Sequence, residues 1–381
     1  MTWVFWLAAA VIAYAYAGYL GWLWLRAQWR PQPVRRGCVE GSVSVVMVVR
    51  NEEAVLARKL NNLLKLDYPG DFQIVVVSDG STDRTESILH EHAGNPKVHV
   101  MLNQLSGGKS AGLNAGMSVA QGDIVVFTDA RQEIECGAIR LLMENFADPE
   151  VGAVSGELML GDCVNGESGS GMGLYWRIEK KVRELESLSG SVVGATGALY
   201  AVRRELVFEV PPETILDDVF IPINVAKQGF RVVFDGRARA WDRPDLGTER
   251  EFRRKVRTLT GNYQLLQRAP WLLRNDNPLR FEFVSHKLIR LVVPFALVAV
   301  LASAGFLSGP LYRAAFWMQL GFYGLSLLGW TKWKLGPLSR LGDAAYTFVA
   351  LNTAALVAFA NFVTGRETTW AQPPLPREIK A

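Results

Sequence analysis

The chain has 381 residues, which is long enough for one globular domain of about 200 to 250 residues and for further segments outside it. Hydrophobic residues make up 49% of the sequence and the mean hydropathy is +0.11, which argues against an ordinary soluble protein. The net charge is +4, and basic residues cluster next to apolar segments. This arrangement favours the anionic headgroups of a lipid bilayer over nucleic acid as a partner.

The apolar residues concentrate in one N-terminal and three C-terminal segments. Residues 2–25 contain no charged side chain, so residues 1–25 are predicted to form a transmembrane helix. A cleaved signal peptide is the competing interpretation, but this stretch lacks a basic start and its apolar part is too long. Residues 288–363 are predicted to hold three further transmembrane helices, at 291–311, 314–330 and 344–363.

Basic residues flank these segments and predict their orientation. They are Arg26, Arg30, Arg35 and Arg36 after the first segment, and Lys332, Lys334 and Arg340 between the third and the fourth. By the positive-inside rule both loops and the central domain are cytoplasmic, in an integral, multi-pass protein of a bacterial inner membrane. Four crossings place the tail, residues 364–381, outside. Its basic residues favour the inside, so the sequence leaves its side open.

Residues 26–42 have no hydrophobic period and are predicted to be a cytoplasmic linker. Three apolar, β-branched runs follow at 43–49, 74–77 and 124–127, with helical patterns between them, which indicates an α/β domain around a parallel sheet. Ligands of such sheets bind beyond the carboxyl ends of the strands, so a nucleotide site is expected there. The sequence has neither a G-x-G-x-x-G fingerprint after the first strand nor a P-loop, which excludes those two kinds of nucleotide site.

Six short motifs stand in one order along the chain. They are Arg50-Asn51-Glu52-Glu53, Ser78-Asp79-Gly80-Ser81-Thr82-Asp83, Gly108-Lys109-Ser110-Ala111-Gly112-Leu113-Asn114, Thr128-Asp129-Ala130-Arg131, Leu216-Asp217-Asp218 and Arg254-Lys255-Val256-Arg257-Thr258. Together they resemble the membrane-embedded branch of the inverting family 2 glycosyltransferases, which includes synthases of cellulose, hyaluronan and poly-N-acetylglucosamine. The resemblance implies a GT-A nucleotide-diphospho-sugar transferase domain over residues 43–245, followed by amphipathic interface helices over residues 246–287.

The resemblance also implies a set of residues that bind the nucleotide sugar: Arg50, Glu52, Asp79, Lys109, Arg131, Arg254 and Arg257. Asp79 would accept a hydrogen bond from the nucleobase; the alternative is a turn aspartate that binds its own backbone. Lys109 would approach the diphosphate after two glycines; the alternative is an exposed lysine at a helix start. Arg254 and Arg257 share a helical face and would meet the leaving diphosphate.

Asp129 is the candidate ligand for Mg²⁺ or Mn²⁺. The family's Asp-x-Asp motif reads Asp129-Ala130-Arg131 here, which leaves two accounts open. Either the metal is held by Asp129, the diphosphate and water, or Arg131 itself neutralises part of the diphosphate charge. Asp218 corresponds to the catalytic base, and Asp217 would raise its pKa by like-charge repulsion. The alternative for this pair is an aspartate that caps the following helix.

The predicted function is inverting transfer of a hexosyl unit from a nucleotide sugar, UDP-linked, to a hydroxyl acceptor at the cytoplasmic membrane face, in extracellular polysaccharide synthesis. A lipid acceptor, as in the ceramide-type glucosyltransferases, is the alternative. A non-catalytic GT-A membrane protein is a third interpretation, because the second aspartate of the Asp-x-Asp motif is absent after Asp129. No particular protein partner is indicated by the sequence.

Overall fold

The computed structural model describes residues 1–161, 174–243, 248–331 and 337–366. The predicted domain end at 245, the basic residues Lys332 and Lys334 and most of the tail over residues 364–381 lie outside the described residues. The predicted α/β class is confirmed by a mixed sheet of eight strands in the order β3-β2-β1-β4-β7-β6-β8-β5. The strands are β1 Val43–Val49, β2 Phe72–Asp79, β3 Val98–Asn103, β4 Ile124–Phe127, β5 Glu133–Ile134, β6 Val151–Leu160, β7 Tyr200–Arg203 and β8 Arg231–Asp242.

Helices flank the sheet and both ends of the domain. They are α1 Thr2–Ala13, α2 Tyr19–Trp29, α3 Leu56–Leu64, α4 Thr85–His92, α5 Gly108–Val119, α6 Ala138–Glu144, α7 Leu174–Ser189, α8 Asp217–Lys227, α9 Thr248–Arg268, α10 Arg280–Phe283, α11 Ile289–Phe306, α12 Pro310–Thr331 and α13 Pro337–Val363. Single π-helical turns at Tyr14–Gly18 and Val284–Leu288 join α1 to α2 and α10 to α11.

The sheet is parallel on one side and mixed on the other. β1 pairs in parallel with β2 and β4, and β2 with β3, so the predicted apolar runs lie side by side. β7 is antiparallel to both β4 and β6. Every residue of β1 is buried, because alternate side chains face two separate cores. One core packs against α3 and α6, and the other against α5 and α8.

Two glycines let α5 approach the sheet closely. A Cβ at Gly112 would stand 2.5 Å from a methyl carbon of Val48, and one at Gly116 would stand 2.6 Å from Val46. These distances are too short for any side chain, so the helix backbone itself packs on β1. This contact fixes the position of the amino end of α5, where Lys109 lies.

Among the described residues, three helices are long and apolar enough to cross a membrane: Thr2–Trp29, Arg280–Phe306 and Leu341–Val363. The segment predicted to cross at 314–330 does form a helix, α12, but α12 is not among these three. The second apolar helix begins at Arg280, so it overlaps the predicted interface segment 246–287. The amphipathic helix α9 packs through Val256 onto α13.

A buried polar cluster attaches the N-terminal helix and α7 to the second apolar helix. The His286 ring nitrogens lie 2.8 Å from Glu186 Oε1 and 3.0 Å from Glu179 Oε1. Tyr19 donates a hydrogen bond to the same Glu186 oxygen, and Arg290 donates one to Glu179. His286 is therefore part of a structural network between helices, in agreement with its position at the predicted domain boundary.

Candidate active site

Lys109 joins two of the acidic motifs that are far apart in sequence. Its Nζ lies 3.0 Å from Asp129 Oδ1, beyond the end of β4, and 3.1 Å from Asp217 Oδ1, at the start of α8. Burial lowers the pKa of Lys109, but the carboxylates of Asp129, Asp217 and Asp218 outweigh it and raise the pKa above its ordinary value. The lysine is therefore charged and held inside the site, which excludes the alternative of an exposed lysine.

Asp218 lies beside this lysine in the first turn of α8. The residue before the helix is Leu216, and no side chain caps the helix, so the capping alternative for the aspartate pair is not found. Gly197 donates a backbone hydrogen bond of 3.2 Å to Asp218 Oδ2. Burial and then the charge of Asp217 raise the pKa of Asp218 to about 6, against the opposing effect of Lys109. The predicted effect of Asp217 is present, but burial contributes more.

The backbone of Gly197 separates Asp218 from Asp129. A Cβ at this glycine would stand 3.4 Å from Asp129 Oδ2 and 3.5 Å from Asp218 Oδ2. The two carboxylate oxygens are therefore at most about 7 Å apart, with open space where a side chain would otherwise lie. The structure thus brings the predicted metal ligand and the predicted base to one small region, and Lys109 joins Asp129 to Asp217, the neighbour of that base.

The oxygens of this region fit a divalent cation that is held partly by substrate. Asp129 has 41% of its side chain exposed, and its Oδ2 borders the space left by Gly197. Mg²⁺ is commonly bound by one or two carboxylates together with phosphate oxygens and water. No group of three His, Cys, Asp or Glu side chains among the described residues could hold a metal by itself. The arrangement therefore fits the account in which Asp129 and a diphosphate share the ion.

Asp79 supports the loop that precedes Lys109. Its side chain is fully buried, and its oxygens accept hydrogen bonds from Ser106 Oγ at 2.7 Å and from the backbone N–H groups of Gly107 at 2.8 Å and Gly108 at 3.1 Å. Arg50 donates to the same serine hydroxyl at 2.6 Å. Asp79 therefore binds the loop before α5 and not its own turn, as the turn-aspartate alternative would require, and Arg50 contacts the same loop.

Asp242, which lies outside the six motifs, forms ion pairs with two of the predicted arginines. It ends β8 with 2% of its surface exposed, and its Oδ2 forms ion pairs with Arg131 and, at 3.5 Å, with Arg254. Arg131 thus has a protein partner, which does not support the account in which it neutralises the diphosphate. Arg257 lies further along the same helix, α9. Asp242 could have been suspected, because it is a third aspartate at the end of a buried strand.

Two further residues border the site. Burial and the charge of Asp129 raise the pKa of Glu52 to about 7, and Arg131 partly offsets this, so Glu52 lies on the Asp129 side as predicted. Tyr200, which sequence reasoning missed, stacks on Phe127 with ring centroids 4.9 Å apart. Burial and the carboxylates of the aspartate pair raise the pKa of Tyr200 well above its ordinary value. Its hydroxyl therefore stays protonated next to these anions.

Comparison with known proteins agrees with this architecture. Residues 44–210 match the model of glycosyl transferase family 2. The matched range ends before Asp218. The chain is 30% identical to the beta-monoglucosyldiacylglycerol synthase of Synechocystis sp., over 50% of this chain and 41% of that enzyme. It is 24% identical to the poly-beta-1,6-N-acetyl-D-glucosamine synthase of Staphylococcus epidermidis, over 61% of this chain and 57% of that one. The matches thus span less than two thirds of either relative.

The whole fold also has a counterpart among solved structures. The mannosyltransferase PcManGT from Pyrobaculum calidifontis, solved in complex with GDP-Man and Mn²⁺, superimposes with a TM-score of 0.73. The superposition covers 96% of this chain and 100% of that one, at 22% sequence identity. Residues 44–210 are therefore similar to the glycosyl transferase family 2 model, and the domain has a GT-A-like fold, flanked by helices that are apolar enough to span a membrane.

Proposed function

We propose that this protein is an inverting glycosyltransferase that moves a hexosyl unit from a UDP-sugar to a hydroxyl acceptor at the cytoplasmic face of the membrane. The observation that carries the proposal is the approach of Asp218 and Asp129 across Gly197, with the ammonium of Lys109 joining Asp129 to Asp217. On one side of the open space a carboxylate can activate a nucleophile. On the other side a carboxylate that holds a cation, together with an ammonium, can stabilise an anionic leaving group.

In this mechanism the acceptor oxygen attacks C1 of the sugar while the bond from C1 to the diphosphate oxygen breaks. Asp218 accepts the proton of the acceptor hydroxyl; with a pKa of about 6 it is ionised at neutral pH. Lys109 stabilises the charge that develops on the diphosphate, and Arg257 adds positive charge from α9. Arg254, which shares Asp242 with Arg131, holds this helix against the end of β8. A divalent cation bound at Asp129 would supply further charge neutralisation. In-line attack inverts C1, so an α-linked donor gives a β-linked product.

The acceptor we propose is a growing polysaccharide, and a membrane lipid is the second candidate. The relative named poly-beta-1,6-N-acetyl-D-glucosamine synthase supports the first. The relatives named beta-monoglucosyldiacylglycerol synthase, at 30% identity or more, support the second. Radiolabelled product separates them: a polymer elutes early in gel filtration and stays in water, whereas a glycolipid partitions into organic solvent.

The catalytic assignment is tested by nucleotide release. Purified full-length protein is incubated with a panel of UDP-sugars and Mn²⁺, with membrane lipid or oligosaccharide as acceptor, and compared with Asp218→Asn. We expect the substitution to reduce turnover by about 10²- to 10⁴-fold, because the acceptor hydroxyl loses its base. Asp67→Asn, which alters an exposed carboxylate far from the site, is the matched control. Equal turnover of wild type and Asp218→Asn would remove Asp218 from the mechanism, and no turnover of the wild type would favour the non-catalytic alternative.

A further inference from the structure

Lys59 is a buried lysine whose position neither the motifs nor the mechanism above explains. It lies on α3 among the core residues Leu56, Leu60 and Leu63, and only 2% of its surface is exposed. Burial lowers the pKa of its ammonium to about 7, partly offset by Asp129. Within the part of the chain that the structure describes, no carboxylate lies within ion-pair distance of it. A buried ammonium without a carboxylate partner is costly, so its contacts need a reason.

Those contacts lie at both ends of the segment that carries Asp129. The Lys59 ammonium donates a hydrogen bond of 2.8 Å to Thr128 Oγ1 and one of 2.7 Å to the carbonyl oxygen of Gln132. The segment between these two residues leaves β4 and contains both Asp129 and Arg131. Because both ends are tied to one ammonium on a helix of the core, the segment is held as a closed loop.

The same ammonium is linked to the opposite side of the site. Thr128 Oγ1, which accepts the bond from Lys59, donates its own proton to the carbonyl oxygen of Ala198 at 2.7 Å. The preceding residue, Gly197, donates its backbone N–H to Asp218. Three successive hydrogen-bonded steps therefore run from α3 through the Asp129 segment to the turn that holds Asp218.

We propose that Lys59 is a positioning residue for glycosyl transfer: it holds the Asp129 segment and, through the Thr128 hydroxyl, the Gly197 turn at a fixed separation. The proposal rests on the proposed function, because that separation is the space in which donor and acceptor meet. This role explains why the core contains a buried ammonium in spite of its energetic cost, because natural proteins keep destabilising residues where they fix the geometry of a functional site. A methionine of similar length would pack in the same place without the two bonds.

The test uses the full-length protein in detergent, with Lys59→Met, Thr128→Val and the double variant. The control is Asn62→Ala, which also removes two hydrogen bonds from α3, here to the backbone of Ile134. Hydrogen exchange is measured for peptides that cover 195–200. We expect exchange there to rise about tenfold in Lys59→Met and in Thr128→Val, and to stay unchanged in Asn62→Ala. Unchanged exchange at 195–200 in both relay variants would overturn the proposal, whether or not the protein is an active transferase.

Turnover gives the second readout. We expect kcat to fall roughly a hundredfold in each relay variant, because small displacements of reacting groups have effects of this size. The double variant should lose little more than either single one, since both break the same chain of bonds. Faster exchange at 195–200 with unchanged kcat would also overturn the positioning role. If the wild type turns over no UDP-sugar, the proposed function fails, and the exchange measurement still decides whether Lys59 couples the two segments.

Discussion

Gly197 keeps open the space between the metal-ligand candidate and the base, so its lack of a side chain has a measurable consequence. A methyl group here would meet the two carboxylate oxygens at 3.4 and 3.5 Å, which are ordinary van der Waals distances. Gly197→Ala should therefore leave the melting temperature nearly unchanged and reduce turnover about 10²-fold, because the methyl occupies the space needed by the reacting groups.

The control for this prediction is Gly94→Ala, where a Cβ would meet no atom within 4 Å. Both variants are compared by thermal melting and by release of UDP. Full activity of Gly197→Ala would mean that donor and acceptor meet elsewhere. A large loss of melting temperature in Gly197→Ala alone would mean that the glycine serves the fold and not the site.

At the scale of single residues, the structure brings Lys109, Asp129 and Asp218, which stand in three separate motifs, close together. Strand ends converge in an open α/β sheet, so their distance in sequence matters little. The immediate partners of Asp79 and Arg131 could not be predicted in the same way. Asp79 binds the loop before α5, and Arg131 pairs with Asp242, more than 100 residues away. Both choices depend on the conformation of loops, which no periodic pattern encodes.

Asp242 holds three elements together: the end of β8, the segment after β4 and helix α9. Its carboxylate has two arginine partners, Arg131 and Arg254, which are 31% and 41% exposed. We expect Asp242→Asn to lower the unfolding free energy by roughly 1–3 kcal/mol, because a buried charge with two partners is lost while solvent screens the arginines. Asp67→Asn breaks an exposed ion pair with Arg140 and should have almost no effect.

The measurement for these two variants is thermal melting in detergent, with turnover recorded in parallel. We expect the melting temperature of Asp242→Asn to lie well below that of the wild type. The melting temperature of Asp67→Asn should be indistinguishable from the wild-type value. Equal melting temperatures of Asp242→Asn and the wild type would show that the ion pairs of Asp242 do not contribute to holding α9 in place.

Element prediction succeeded where the hydrophobic pattern was strong and uniform. The three apolar runs became β1, part of β2 and β4, because strands buried on both faces have few polar residues. The strands in the mixed half of the sheet do not show a comparably uniform apolar run. β8 contains Arg231, Asp235 and Arg239, which form ion pairs or hydrogen bonds and interrupt the apolar pattern. Tertiary pairing, not local preference, makes this stretch a strand.

On the scale of the whole molecule, the number of membrane crossings decides on which side the C-terminal tail lies. By length and composition, only three of the described helices are apolar enough to be assigned as membrane-spanning. Three crossings would place the tail in the cytoplasm. Helix α12, however, has 22 residues and is about 33 Å long, close to the ~30 Å of a hydrocarbon core. Its length therefore permits a fourth crossing.

The packing of α12 favours that crossing. Gly329 of α12 lies against the backbone of Gly342 in α13, where a Cβ would be only 2.2 Å from the carbonyl oxygen. Such close contact between small residues is typical of neighbouring membrane helices. Trp317 and Met318, in the middle of α12, are 68% and 69% exposed, and water is an unfavourable environment for them. Both observations place α12 in the same lipid layer as α13.

We therefore expect four crossings, with the tail on the periplasmic side of the membrane in spite of its basic residues. In a chain without native cysteines, Thr364→Cys should react with a membrane-impermeant maleimide on intact cells. A chain that keeps only Cys38, which is exposed after the first apolar helix, should react only after the membrane is permeabilised. Protection of position 364 on intact cells, with labelling after permeabilisation, would mean that α12 lies outside the lipid layer and that three helices cross. The basic residues at 332–340 would then lie on the periplasmic side, against the positive-inside rule, so a single labelling experiment decides between the evidence from helix packing and that from charge distribution.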